Sequence, residues 1–224
     1  MRRLLLPLLF LLSACGDTVP ADQPSRILAM GDSLLAWHGL AGKSISDTVA
    51  RELQEPVVDR SVSAARIIYK LPISGAAGMN IRKQYLPGEW DWVIVNGGGN
   101  DLWLGCGCIA CSRKMDKLIS ADGREGAIPG MLSELRATGA KVIYVGYLRS
   151  PGVGSLIEHC RDEGNELEDR IGQLAAQDDG IFFLSNKDLV PYGDRSYHAL
   201  DMIHPSVKAS SEIGRKVAEI IRSN

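Results

Sequence analysis

The chain has 224 residues, 45% of them hydrophobic, and its 25 Lys and Arg against 27 Asp and Glu leave a formal net charge of −2. That apolar share excludes a disordered polymer, and a balanced, faintly acidic charge with no basic run argues against a nucleic-acid partner. The length suits one domain with a full core.

In chain order, Arg2 and Arg3, the apolar residues 4–12 and the small pair Ser13-Ala14 read as an export signal too short to span a bilayer. Leu12-Ser13-Ala14-Cys15 resembles the lipobox of bacterial lipoproteins. That resemblance implies removal of residues 1–14 and lipidation of Cys15. It also implies an exported protein held to a membrane by its N-terminal lipid, on the periplasmic face of a bacterial outer membrane. Residues 15–25, small, polar and proline-containing, are expected to form a tether, with the domain spanning 26–224.

Within the domain, apolar runs at 27–30, 56–62, 92–96, 141–147 and 181–184 predict five strands, because short runs apolar on both faces suit a covered parallel sheet. Helical periodicity marks 44–53, 126–138, 158–176 and 206–222; in the last, Val207, Ile213, Val217, Ile220 and Ile221 can gather on one side. The alternation predicts an α/β fold, a three-layer α/β/α flavodoxin-like sandwich around a central five-stranded parallel sheet. Reacting groups in such sheets collect beyond the C-terminal strand ends, where Gly31-Asp32-Ser33 and Gly97-Gly98-Gly99-Asn100-Asp101 fall.

Cys106, Cys108, Cys111 and Cys160 form an even set once Cys15 is assigned to lipid, which in an exported chain predicts two disulfides with three pairings open. Cys106-Gly-Cys108-x-x-Cys111 also reads as part of a four-thiolate zinc site, but no matching second Cys pair follows, and no metal is expected.

Ser33 and the run Asp201-Met202-Ile203-His204-Pro205 supply the set that nucleophilic acyl transfer needs: a hydroxyl, a base to deprotonate it, and a carboxylate to orient the base. Three residues in a turn let Asp201 reach Nδ1 of His204, leaving Nε2 for the serine. Plainer readings exist: Ser33 as a helix N-cap, Asp201 satisfying its own turn, Asn100 as a turn residue. His198 is the nearest rival base, whereas His38 and His159 read as surface or packing residues.

The blocks Gly31-Asp32-Ser33-Leu34, Gly98-Gly99-Asn100-Asp101 and Asp201-x-x-His204-Pro205, in this order, resemble the SGNH hydrolases of the GDSL family. The resemblance implies Ser33 as nucleophile, His204 as general base then acid, Asp201 as its orienting carboxylate, and no cofactor. It implies an oxyanion hole built from the Ser33 amide, the Asn100 side chain and a second-block amide. There the chain departs from the family, with Ala64 where glycine is usual; the donor survives, but a positive φ would strain it. Gly75 is a possible substitute, and Asp32 and Asp101 read as turn-fixing carboxylates. Trp37, Leu102 and Trp103 line an acyl pocket or the edge of the core. No Gly-x-Ser-x-Gly elbow is present in the sequence. The implied function is a serine hydrolase of carboxylic esters (a lysophospholipid, a short acyl ester or a glycan O-acetyl group) working through an acyl-enzyme on Ser33. Alternatives are a surface binding protein that keeps only the fold, and acyl transfer to an acceptor other than water.

Overall fold

The computed structural model describes residues 24–152 and 154–224, so the signal reading, Cys15 and nearly all of the tether lie outside the described residues. The Ser25 hydroxyl lies 2.9 Å from the Ile27 carbonyl and 2.8 Å from that of Pro56, so the last tether position is already tied to the sheet.

Five strands, β1 (Ile27–Met30), β2 (Val57–Asp59), β3 (Trp92–Val95), β4 (Lys141–Val145) and β5 (Ile181–Leu184), form one sheet in the order β2-β1-β3-β4-β5. All pairings are parallel, with Ile27 opposite both Val57 and Trp92, and Val142 opposite both Val93 and Ile181. Every residue of β1 and β3 is buried, which is why these runs are apolar throughout instead of alternating.

The helices among the described residues are α1 (Ser33–Ala36), α2 (Ile45–Leu53), α3 (Pro72–Ser74), α4 (Gly99–Cys106), α5 (Ser112–Leu118), α6 (Ala127–Ala137), α7 (Arg161–Ala175) and α8 (Val207–Ser223). None is long and apolar enough to cross a membrane. One sheet face (Leu28, Met30, Val93, Val95, Val142, Tyr144) packs on α5, α6 and α7 through Met115, Leu118, Ile128, Leu132, Leu167 and Ile171. The other (Ile27, Ala29, Ile94, Ile143, Val145) packs on α1, α2 and α8 through Leu35, Ile45, Val49, Ile213 and Val217. The predicted three layers are therefore present.

Local signals fix the helix starts. Ser44 caps α2 in a capping box with Asp47, and Ser206 caps α8 by accepting the Ala209 N–H. Helices α2 and α8 cross closely because α8 carries Gly214, where a Cβ would sit 2.5 Å from Cβ of Thr48. Three expected strands are shorter than their apolar runs, β3 by the single residue Asn96. β2 ends at Asp59, although the Arg60 and Val62 N–H groups still bond to the carbonyls of Ala29 and Gly31. β4 ends at Val145 because the Tyr147 N–H turns to the Glu168 carboxylate.

Candidate active site

The rim beyond the strand ends holds a cavity of about 370 Å³. Ser33, Ala64, Asn100 and His204 line it together, although they come from four separate segments. Ser33 is the first residue of α1, the turn after β1, and Asp32 is that helix's N-cap, accepting the Leu34 N–H at 3.0 Å. The Ser33 hydroxyl makes no hydrogen bond among the described residues, which leaves it free to turn toward the imidazole or toward a substrate.

His204 sits in a turn built by Asp201. One carboxylate oxygen accepts the N–H groups of Ile203 and His204, both at 3.0 Å, and the other lies 2.5 Å from His204 Nδ1. Asp201 thus satisfies its turn and holds the ring at once. Partial burial disfavours its charge, but the bonds from the His204 ring, the His204 N–H and the Ile203 N–H outweigh that and hold it below the usual carboxylate range. The Trp37 ring stacks on the imidazole with centroids 3.8 Å apart and planes within 6°. An indole face favours a positive charge on the ring it covers. The loop is fastened further by His38 Nε2, 3.1 Å from the Pro205 carbonyl, and by the Ser155 hydroxyl, which donates to the Met202 carbonyl.

The second-block position is the strained case. Ala64 has φ of 63°, left-handed backbone that costs an L-residue about 1–2 kcal/mol. Its neighbours determine that conformation: the Ala65 N–H bonds to Val62, the Ala65 carbonyl accepts from Asn100 Nδ2 at 3.1 Å, and the buried Asp101 carboxylate accepts the N–H groups of Ile67 and Ile68 at 2.9 Å each. Burial pushes the Asp101 carboxyl upward, opposed by those two bonds. The Ala64 N–H has no backbone partner among the described residues, and Ala64 lines the cavity. Gly75 does not substitute for it, since its N–H is spent on the Leu71 carbonyl and it does not line the cavity.

A buried network that the sequence reading missed joins these segments. Asp32, 1% exposed, accepts from Leu34, from Asn100 Nδ2 at 3.3 Å and from the Tyr147 hydroxyl. Burial raises its carboxyl to about 6, against the pull of the Tyr147 and Leu34 bonds. The same Tyr147 hydroxyl accepts the Gly99 N–H at 3.0 Å, and its ring leaves no room for a side chain there: a Cβ on Gly99 would lie 2.7 Å from Tyr147 Cζ. Tyr147 is itself set by Glu168, which accepts its N–H at 3.0 Å and pairs with buried Arg149 at 2.9 Å. One signal could have found Tyr147: it follows the C-terminal end of β4, on the same rim as the motif residues.

The other named residues separate cleanly. Trp37, Leu102 and Trp103 all line the cavity. His198 does not; its ring nitrogens are buried without partners, and burial pushes the imidazole down toward its neutral form. His159 is exposed. The four cysteines form Cys106–Cys111 and Cys108–Cys160, so every sulfur the zinc reading needed is in a bridge.

Residues 29–210 match the model of the GDSL-like lipase/acylhydrolase family. No protein of curated function matches the chain by sequence. Solved structures share the fold at low identity. A Slackia heliotrinireducens protein assigned to the SGNH hydrolases is 18% identical with a TM-score of 0.61, over 89% of this chain and 100% of its own. A protein of the G-D-S-L lipolytic family from Desulfitobacterium hafniense is 15% identical, TM-score 0.59, over 88% and 99%. Est24, a carbohydrate acetylesterase from Sinorhizobium meliloti, is 17% identical, TM-score 0.56, over 89% and 99%. With its ordered motifs on one rim and the family match spanning most of its length, the chain belongs to the GDSL-like lipase/acylhydrolase family, and is a carboxylic ester hydrolase.

Proposed function

We propose that the protein cleaves the ester of a lysophospholipid, a short acyl ester or an O-acetylated glycan through an acyl-enzyme on Ser33. The observation that carries this reading is the arrangement of Ser33, the Asp201-bonded His204, the unpartnered Ala64 N–H and the Asn100 amide around one cavity.

His204 Nε2 takes the Ser33 proton as Oγ forms its bond to the carbonyl carbon, and the carbonyl electron pair moves onto oxygen. The free amides of Ser33 and Ala64 stabilise that oxyanion, and Asn100 joins them by turning an N–H from Asp32, its longer bond at 3.3 Å, to the new oxygen; one such donor is typically worth about 10²–10³ in rate. Collapse breaks the bond to the alcohol oxygen, which leaves with the proton from His204. Water then attacks the acyl-enzyme, His204 accepts its proton and returns it to Ser33 Oγ, and the carboxylic acid departs. Asp201 and the Trp37 face stabilise the imidazolium that exists between these transfers.

The test is hydrolysis of p-nitrophenyl esters by wild type and by Ser33→Ala, with mass spectrometry of the fluorophosphonate-treated proteins. Ester turnover and one adduct on Ser33, both lost in the variant, are expected. Equal turnover in the variant would refute the mechanism, and no turnover in either would favour a binding protein that keeps the fold.

The leader supports a second part of the proposal, that Cys15 is lipidated and anchors the exported protein to a membrane while residues 16–25 tether the domain. Cys15→Ser is expected to move the protein from the membrane pellet to the soluble fraction of its host; a variant that still pellets and shows the same N-terminal mass as wild type would reject the anchor.

A further inference from the structure

The cavity beside Ser33 is larger and more apolar than cleavage of an acetyl ester requires. One wall is a stripe running from the 3-10 turn before α7 into its first turns, where Ile157, Cys160, Gly164 and Leu167 follow each other three or four residues apart. The facing wall comes from α4 and the segment after it, through Leu102, Trp103 and Cys108. Cys108 and Cys160 are bonded to each other, so a covalent bridge ties the two walls together and fixes how far apart they stand. The charged groups at the edge are already engaged: Arg149 is bonded to Glu168, Asn165 and the carbonyls of Tyr147 and Gly164, and Arg161 is bonded to Glu158. Little polar recognition remains on these walls, and an apolar chain would lose nothing by lying against them.

We propose that this part of the cavity is the acyl-chain site, that it takes unbranched aliphatic acyl groups of medium length, and that the Cys108–Cys160 bridge sets its width. The inference rests on the serine-esterase reading above and narrows it on the acyl side. A volume of about 370 Å³ corresponds to about twelve water-sized volumes of about 30 Å³. A methylene is of similar size, so once the ester group is seated there is room for about six to ten carbons. Each methylene that finds apolar wall is worth up to about fourfold in kcat/KM, from about 0.8 kcal/mol per buried CH₂. The preference for C8 over C2 is therefore expected to be large and to collapse for chains longer than the cavity.

Gly164 offers a clean perturbation. A Cβ there meets nothing closer than the Arg149 guanidinium at 3.8 Å, so a side chain can start from this position without backbone movement, and replacing glycine inside a helix favours folding. The experiment measures kcat/KM for p-nitrophenyl esters from C2 to C14 with wild type, Gly164→Leu and the Cys108→Ser/Cys160→Ser double variant. Octanoate binding is titrated calorimetrically in parallel with wild type, Ser33→Ala and Ser33→Ala/Gly164→Leu. Wild type should peak between C6 and C10; Gly164→Leu should lower the C8-to-C2 ratio by at least tenfold; the double serine variant should flatten the upper cut-off. Octanoate should bind wild type and Ser33→Ala alike and at least tenfold more weakly once leucine is present. A wild-type optimum at C2, or a C8-to-C2 ratio and octanoate affinity both indifferent to Gly164→Leu, overturns the acyl site. An unchanged cut-off in the double serine variant overturns the role of the bridge. Octanoate binding that weakens with leucine while no ester is turned over would sink the esterase reading and leave the acyl site standing.

Discussion

Tyr147→Phe isolates the network behind Ser33, because it removes one oxygen that bonds to two partners. The Asp32 carboxylate loses a donor, and the Gly99 N–H loses its acceptor. A hydrogen bond to a charged group contributes about 1.5–3 kcal/mol, and a shielded amide left without a partner costs about 1–3 kcal/mol. These two losses differ in pH dependence. The Asp32 carboxyl is raised to about 6 in the fold from 3.8, so the folded protein holds a proton that the unfolded chain has released between those values. Stability from this group is full below about pH 4 and falls as pH rises through 6, by about 3 kcal/mol for a shift of about two units. Tyr147 limits that loss by bonding to the ionised form. Without its hydroxyl the carboxyl rises further, so the variant pays the larger penalty above pH 6 and only the Gly99 part near pH 4.5. Urea unfolding with the disulfides intact should give a destabilisation about 1.5–3 kcal/mol larger at pH 8 than at pH 4.5. Asn100, which shares Asp32 as a partner, should be less well placed, and kcat should drop by up to about 10². A destabilisation equal at the two pH values would show that the ionised carboxylate is not the partner of Tyr147 and would refute the reasoning.

Asp201→Asn should keep the turn, since an amide oxygen can still accept the Ile203 and His204 N–H groups, yet lose the charge that steadies the imidazolium. A fall in kcat of about 10³–10⁴ with an unchanged circular dichroism spectrum is expected, and a fall under tenfold would remove Asp201 from the mechanism. Ala64→Gly relieves left-handed backbone worth about 1–2 kcal/mol while adding about 0.5–1 kcal/mol of chain entropy to the unfolded state. Thermal unfolding should move up by about 1–4 °C with kcat/KM within about threefold of wild type, since the amide donor stays; a lower melting point would mean that the alanine methyl makes contacts that outweigh the strain.

What was legible in the sequence followed from patterns with a local cause. The strands at 27–30 and 181–184 match β1 and β5 because both faces of the sheet are covered and the runs are apolar from end to end. Helices α2, α6, α7 and α8 match within a few residues because each shows its buried stripe at helical period, and Ser44 and Ser206 stand at their starts. Helix α1 was not legible: four residues carry no period, and it exists because Asp32 caps it and Leu34 and Leu35 are buried. Helix α4 begins in Gly-Asn-Asp, which reads as a turn, and its start is held by Tyr147 from 48 residues away. The disulfide partners were equally hidden, since Cys108 lies after α4 and Cys160 just before α7, and only the fold brings these two segments, 52 residues apart, together beside one face of the sheet.

The site shows the same division. The nearness of Ser33, Asn100 and His204 was legible, because the chemistry proposed for them demands particular side chains on one rim, and the structure places the three around one cavity with Asp201 bonded to His204. Ala64 was half legible, since any residue but proline supplies an N–H and only the fold decides the sign of φ. Glu168 and Arg149 were not legible at all, and Tyr147 only by its place after β4, because their work is to hold other segments in place and many side-chain combinations could do that. Yet they explain a feature the motif leaves open, how a carboxylate can sit fully buried beside Ser33. Asp32 is tolerable there because three donors from β1–α1, α4 and the end of β4 converge on it. That convergence also ties Asn100 to the turn that carries Ser33, so the proposed placement of these two groups depends on a residue 115 positions from Asp32 that no motif contains.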